Sequence, residues 1–351
     1  MRITRTSARA GMPDVAVALS GGVDSSVAAA LLVEAGRDVV GVTMDLGIAG
    51  AGDDPVTLAA DVCDALGIPL VVIDLAEPFR EQVVGPFVDA YAAGLTPNPC
   101  VTCNERVKFG AFAERVFDLG ATTLATGHYA RLELDDGQVW LRRAADRTKD
   151  QSYFLYRVPP GTLGMLEFPL GDLTKAEVRR MAAERGLPTA ERRESQEVCF
   201  TSDHAALVAA LHPEAIEPGP IETSDGAVLG THRGIARYTV GQRKRLGVGG
   251  PGGPYRVVRI DAERRAVIVA PETEAHAKRV TLAEPMWRLD HEPAHVLAQI
   301  RYRSAPRPAM ATPVAGGLEV EFDSPADPLA PGQSVVLYED DRVAGGGIVP
   351  H

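Results

Sequence analysis

Cysteine is scarce in this 351-residue chain, with four residues at 63, 100, 103 and 199. That is too few for a disulfide scaffold and suits a reducing cytosol with a few working thiols. The expected location is therefore cytoplasmic. No apolar run approaches the roughly 20 residues of a membrane span, so no membrane is expected among the partners. Positive charge is not in excess either: 36 Lys and Arg stand against 47 Asp and Glu, a net charge of −11. This excludes a uniformly basic nucleic-acid coat and leaves room for a local basic surface. Residues 1–11 contain Arg2, Arg5 and Arg9 and no acid, but lack the apolar core of a secretory signal. A disordered tail, or a start at Met12, is expected there, with a short organelle-targeting segment as the alternative. There is no internal repeat and no low-complexity tract beyond 247–253. What remains is 45% hydrophobic and 24% charged, an ordinary globular composition long enough for two or three domains.

The most informative stretch is Ala18, Leu19, Ser20, Gly21, Gly22, Val23, Asp24, Ser25 and Ser26. The apolar run 15–19 before it reads as a buried parallel strand, and 27–33 after it as an apolar helix. A glycine pair between them lets the backbone turn tightly and approach a ligand. The serines add hydroxyls, and the helix N-terminus offers free N–H groups to an anion. This is a phosphate cradle. It lacks the Lys-Ser/Thr pair of the common P-loop and the three spaced glycines of a dinucleotide fingerprint. It resembles the pyrophosphate loop (PP-loop) of ATP pyrophosphatases, which cleave ATP between the α and β phosphates and adenylate an acceptor oxygen.

Further along, 38–44, 70–74 and 122–126 read as strands, and 56–66, 79–93, 106–119 and 173–186 as helices, the last capped by Thr174. Strands alternating with helices imply an α/β fold with a doubly wound parallel sheet. Ligands in such sheets sit beyond the carboxyl ends of the strands. Ser20, Met44 and Gly127 all fall there, so they should line one nucleotide site; Met44 also suits simple core. The segment 131–143 reads as a hairpin around Asp136-Gly137. Beyond about residue 210 short β-rich segments take over, with strands expected at 255–260, 266–269, 295–302, 318–322, 334–338 and 343–349. Such a series suggests a small barrel.

Two prolines stiffen the approach to Cys103 in TPNPCVTCN. A thiol just before a helix should have its pKa lowered by the dipole, with Arg106 and Lys108 adding positive charge. Half a zinc site from Cys100 and Cys103 is the competing reading, weakened by the absence of a second cysteine pair. Cys199 lies between apolar neighbours, and Cys63 sits on the apolar face of a helix as a core thiol. Residues 229–265 hold nine Lys and Arg (233, 237, 243, 244, 245, 256, 259, 264, 265) against Asp261 and Glu263. That stripe can track a phosphate backbone or be a solvated face. Arg301, Arg303 and Arg307 form a second cluster beside Tyr302, which could stack on a base.

In order, the pyrophosphate loop, TPNPCVTCNERVKFG, ATGHYAR, KDQSYFLY, QEVCF and RYTVGQRKRLGVGG are similar to the motifs of the tRNA-specific 2-thiouridylases, over about residues 13–302. The resemblance implies an N-terminal PP-loop ATP pyrophosphatase domain of the adenine nucleotide alpha hydrolase type (13–205), a small central tRNA-binding domain (206–278) and a C-terminal β-barrel (279–351). It implies ATP and Mg²⁺ at Ala18 through Ser26, Met44 and Gly127. By position, Cys103 is the nucleophile and Cys199 the carrier of persulfide sulfur. Asn98, Pro99 and Cys100 flank the target base, and Lys149, Asp150, Gln151, Arg301 and Tyr302 contact tRNA. Many members carry an acid–base Asp where this chain has Cys100, so that role is open here.

The reaction implied is adenylation of the wobble uridine (position 34) at its 2-oxygen, then sulfur transfer to give 2-thiouridine, AMP and pyrophosphate. A persulfide-donating sulfurtransferase would load Cys199, and Cys103 and Cys199 would finish as a disulfide. The rivals are a lysidine-synthetase-like or amidating enzyme with the same loop, and a non-catalytic nucleotide-dependent RNA-binding module. An iron–sulfur cluster on Cys100, Cys103 and Cys199 is a further reading, since three thiolates can hold one.

Overall fold

The computed structural model describes residues 2–4, 13–48, 54–192, 198–249, 253–273 and 276–351. Two compact units emerge. The first comprises Met1–Val83, Cys100–Phe200 and Asp341–Val343, and the second Val84–Pro99, Thr201–Asp340 and Ala344–His351.

The first unit is built on strands β1 (Arg2–Thr4), β2 (Val15–Ala18), β3 (Val39–Asp45), β4 (Leu70–Asp74), β5 (Thr123–Thr126) and β6 (Leu166–Glu167), in the order β1-β4-β3-β2-β5-β6. All pairings are parallel except β1 on β4. β2 is central, and Val15, Ala16 and Val17 are fully buried, which is why it reads as a continuous apolar run. Helix α1 (Val23–Glu34) follows it after the loop 19–22. Helix α2 (Pro55–Leu66) starts on Asp54, whose carboxylate accepts from the Val56 and Thr57 N–H groups, and stops at left-handed Gly67. Its Cys63 lies in the core with Val15, Val17, Leu19 and Val62, as expected. Helix α3 (Lys175–Glu184) opens with a capping box, Thr174 with Glu177, and packs Val178 and Ala182 against Ala28 of α1.

Two helical regions differ from expectation. The 79–93 helix is divided into Ala76–Phe79, a π-helical run Arg80–Val84, and Gly85–Ala92. The 106–119 helix starts earlier: Pro99–Thr102 is α-helical, Cys103–Phe112 is π-helical with a break at Gly110, and Ala113–Asp118 is α-helical again. Pro99 suits a first turn, where its missing N–H has no partner to lose. The hairpin forms as strands Ala130–Asp135 and Gln138–Arg143 around Asp136 and Gly137, both with positive φ. The expected disordered tail is corrected at Arg2–Thr4, which form the edge strand β1.

In the second unit, β7 (Gly219–Thr223), β8 (Val228–His232), β9 (Tyr255–Asp261) and β10 (Ala266–Pro271) form a sheet in the order β8-β7-β10-β9. The last six strands are β11 (Ala277–Trp287), β12 (Ala294–Gln299), β13 (Arg307–Val314), β14 (Gly317–Ala326), β15 (Ser334–Glu339) and β16 (Arg342–Ile348). They run in the order β11-β14-β13-β12-β15-β16, and β11 pairs with β16 to close a barrel. The α/β class with a smaller central sheet and a C-terminal barrel is therefore borne out. β11 and β13 are not legible as strands in the sequence. β11 has two irregularities that break its alternation, and β13 carries Pro308 and Pro313.

Candidate active site and basic surface

The carboxyl ends of β2, β3 and β5 and the start of α1 surround a cavity of ≈ 200 Å³. Seven of the eleven nucleotide-site residues expected from the sequence line it: Ala18, Leu19, Ser20, Asp24, Ser25, Met44 and Gly127. Gly21, Gly22, Val23 and Ser26 do not, and each shapes the loop instead. Gly21 has φ +70, and a Cβ there would lie 2.6 Å from that of Leu58. The Gly22 carbonyl accepts from both the Ser25 and Ser26 hydroxyls, at 3.0 and 2.9 Å. Val23 is core, and Ser26, fully buried, accepts from the Thr189 hydroxyl at 2.8 Å. Gly127 is a steric necessity, since a Cβ would stand 2.7 Å from the Ser25 nitrogen.

Asp24 is held by groups that the sequence reading missed. Lys175 Nζ reaches its two carboxylate oxygens at 2.6 and 2.8 Å, and the Tyr129 hydroxyl donates to it at 2.8 Å. Lys175 is the first residue of α3, where a cation opposes the helix dipole. That misplaced charge is the signal that could have marked it. His128, also missed, lines the cavity between Phe109 and Phe168, with Nδ1 2.8 Å from the Thr126 hydroxyl. Burial, reinforced by the nearby Lys108 charge, holds its pKa well below 6.5, so the ring is neutral. Gln151 also lines the cavity, and its side-chain oxygen accepts from the Tyr129 N–H at 2.8 Å.

The thiols behave differently from the expectation. Burial pushes Cys103 up to about 11, against the opposing charge of Lys108 and with the fields of Cys199 and Cys100 adding to the rise. The dipole argument fails because the helix begins at Pro99, which places Cys103 one turn inside it, only 8% exposed. Cys100 and Cys199 are exposed at the residue level, yet desolvation of the sulfur raises both, again opposed by Lys108. Phe200, beside Cys199, packs edge-on against Phe79 at 5.7 Å. Cys63 is pushed to about 12 by burial, in keeping with a core thiol. Among the described residues no three His, Cys, Asp or Glu side chains form a group able to hold a metal ion. Among the described residues, nothing therefore supports a cluster on Cys100, Cys103 and Cys199 or a zinc on Cys100 and Cys103. Gln196 and Glu197 of QEVCF lie outside the described residues.

At the expected tRNA-contacting positions, Asp150 is buried and its carboxylate accepts from Arg143 Nε at 2.6 Å and from the Ala144 and Ser152 N–H groups at 3.1 Å. It therefore fixes the turn that presents Lys149 and Gln151. Arg301 donates to the Pro328 carbonyl at 2.7 Å, and the Arg303 guanidinium covers the Tyr302 ring at 5.3 Å. The basic stripe is partly neutralised. Arg243 and Arg256 pair with Glu272, Arg256 also with Asp327, Arg259 with Asp261, Arg264 with Glu222 and Arg265 with Glu217. Most of these carboxylates lie outside the 229–265 window, which is why the sequence overstates the free charge. Among the described residues Arg233, Arg237, Lys244 and Arg245 have no ion pair.

A parallel sheet with a glycine-bearing loop, a cavity of mixed polar and apolar lining at its carboxyl edge and a helix start at that cavity defines a nucleotide-binding α/β domain. Residues 13–203 match the tRNA methyl transferase HUP domain, 208–271 the tRNA methyl transferase PRC-barrel domain, and 275–349 the aminomethyltransferase beta-barrel domain. A tRNA-specific 2-thiouridylase MnmA of Chloroflexus aurantiacus is 45% identical over 352 residues, covering 96% of this chain and 98% of that one. Its counterpart in Cereibacter sphaeroides is 44% identical over 354 residues, covering 95% and 93%. A solved U34-tRNA thiolase NcsA from Methanococcus maripaludis has a TM-score of 0.33 and 18% identity over 58% of this chain and 69% of its own. The chain belongs to the tRNA-specific 2-thiouridylase family.

Proposed function

We propose that this enzyme converts the wobble uridine of tRNA to 2-thiouridine, using ATP to activate the 2-oxygen and a cysteine persulfide as sulfur source. The observation that carries this reading is the placing of one helical segment, Cys103–Phe112, which holds a thiol at its start and supplies Lys108, Phe109 and Phe112 to the nucleotide cavity. Adenylation and sulfur transfer then share one wall. The unstacked uridine would enter at a cost of a few kcal/mol. The Ser20 and Ser25 hydroxyls and the N-terminus of α1 would hold the phosphates. Asp24 is the one loop carboxylate on the cavity, but Lys175 occupies both of its oxygens, so a Mg²⁺ there would be held by phosphate and water and would reach Asp24 only in exchange for Lys175. That ion would offset charge on the departing pyrophosphate.

In the second half-reaction the terminal sulfur of a Cys199 persulfide bonds to carbon 2 and AMP leaves. Cys103 then attacks Cys199 Sγ, the sulfur–sulfur bond breaks, and its electron pair remains on the sulfur of the base. A Cys103–Cys199 disulfide results, which a dithiol must reopen. Tyr302, Lys149 and the unpaired Lys244 and Arg245 would contact tRNA, and Asn98 to Cys100 the target base. We assign the domains as 13–205, 206–278 and 279–351, a cytoplasmic site of action, and a sulfurtransferase as the loader of Cys199. The test is incubation of the purified chain with unmodified tRNA, ATP and a persulfide donor, followed by nucleoside mass spectrometry. 2-Thiouridine formed in step with AMP supports the proposal. AMP without thiolation would reduce it to an adenylating enzyme of another kind.

A further inference from the structure

Lys108 lines the nucleotide cavity from the segment that begins with Cys103, five residues earlier, about one turn of a π-helix. The other ammonium at this site is already committed: Lys175 is bonded to Asp24. Lys108, half-buried, has no ion pair among the described residues. Its charge nevertheless reaches four groups, opposing the burial that keeps Cys100, Cys103 and Cys199 as thiols and disfavouring a proton on His128. A cation in a partly desolvated wall without a counter-ion is poised for an arriving anion. Two anions arise here in succession: the α-phosphoryl group, and then the Cys103 thiolate.

We propose that Lys108 is a catalytic residue serving both half-reactions, its ammonium contacting the α-phosphoryl oxygens during adenylation and then stabilising the Cys103 thiolate. This rests on the function proposed above. In the first step the uracil 2-oxygen bonds to the α-phosphorus, and the bond to the bridging oxygen breaks with its electron pair leaving on pyrophosphate. Lys108 offsets the charge on the non-bridging oxygens and keeps its proton. AMP departure frees the ammonium. The Cys103 proton passes to water, and the thiolate attacks Cys199 Sγ. The two cysteines are oxidised to the disulfide while the sulfur on carbon 2 is reduced.

The test uses the full-length chain with Lys108→Met and Lys108→Arg. In a Cys63→Ser, Cys100→Ser, Cys199→Ser background Cys103 is the one remaining thiol, and its alkylation by iodoacetamide at pH 8 is followed. Lys108→Met should slow it about tenfold, the order imposed by losing one nearby charge. With all cysteines present, Lys108→Met should lower tRNA-dependent pyrophosphate release at saturating ATP about 100-fold, as for other transition-state charge donors. Lys108→Arg should recover much of both rates, which separates lost charge from lost packing. If either rate in Lys108→Met equals that of the parent, one ammonium does not serve both steps and the proposal is overturned. A parent that releases pyrophosphate but never forms 2-thiouridine would instead overturn the proposed function, and the alkylation result would still stand.

Discussion

His128 shows how burial sets chemistry at a single residue. Its ring is neutral in the folded chain, with a pKa well below 6.5. The unfolded chain takes up a proton as pH falls through 6.5, and the folded chain does not. Stability is therefore full above that pH and declines below it. Melting temperatures measured from pH 7.5 to 5 should fall more steeply for the parent than for His128→Gln; equal slopes would remove His128 from the linkage. The thiols divide in the same way. Cys103→Ser and Cys199→Ser should each abolish 2-thiouridine formation, while Cys199→Ser still releases pyrophosphate. Full thiolation by Cys199→Ser with a physiological donor would cancel the persulfide assignment. Cys63→Ser should keep activity and lose about 1–2 kcal/mol, because a hydroxyl enters an apolar core. At Cys100, the Asp replacement should retain activity and Ser should lower it modestly.

At the scale of elements, the site depends on how closely β5 and α1 approach. Gly127, just past β5, leaves no room for a methyl group beside the Ser25 nitrogen and Asp24 carbonyl carbon. Gly127→Ala should destabilise the fold by about 1–3 kcal/mol through overpacking and weaken ATP binding as the loop is pushed aside. Isothermal titration with ATP and a thermal melt read the two effects separately, and an unchanged affinity would mean that the cradle tolerates the shift. The π-helical run at Cys103–Phe112 has the complementary effect. It brings Lys108, Phe109 and Phe112 to the cavity while leaving Cys103 off its lining. Regular α-helical spacing would have distributed these side chains differently.

On the scale of the whole molecule, charge decides how an acidic chain could hold an RNA. The ion pairs separate structural arginines from available ones. Lys244→Ala with Arg245→Ala should weaken tRNA binding and reduce its salt slope by roughly 0.7–0.9 per lost phosphate contact. Binding titrations across salt concentrations check this, and an unchanged slope would make the two residues a solvated face. Arg256→Ala should act differently. The residue is 4% exposed, and its guanidinium bridges Glu272 and Asp327. Its loss should cost about 2 kcal/mol of stability, on the scale of charge-assisted hydrogen bonds.

The sequence alone determined the strand–loop–helix cradle, because buried apolar runs, glycine turns and caps are local properties. It also determined the α3 boundary through Thr174, the hairpin turn at Asp136-Gly137, and the order of family motifs. It did not reveal β11 and β13, where irregular pairing and prolines obscure the strand signal. Only the tertiary structure decided which residues of the loop face the cavity and which brace it. The same holds for Lys175 on Asp24, 151 positions apart in the chain. It also reversed the expected pKa shift of Cys103 and paired five of the nine basic residues of the stripe. Each of these depends on desolvation and on charges brought together from distant segments, and neither is encoded in local spacing.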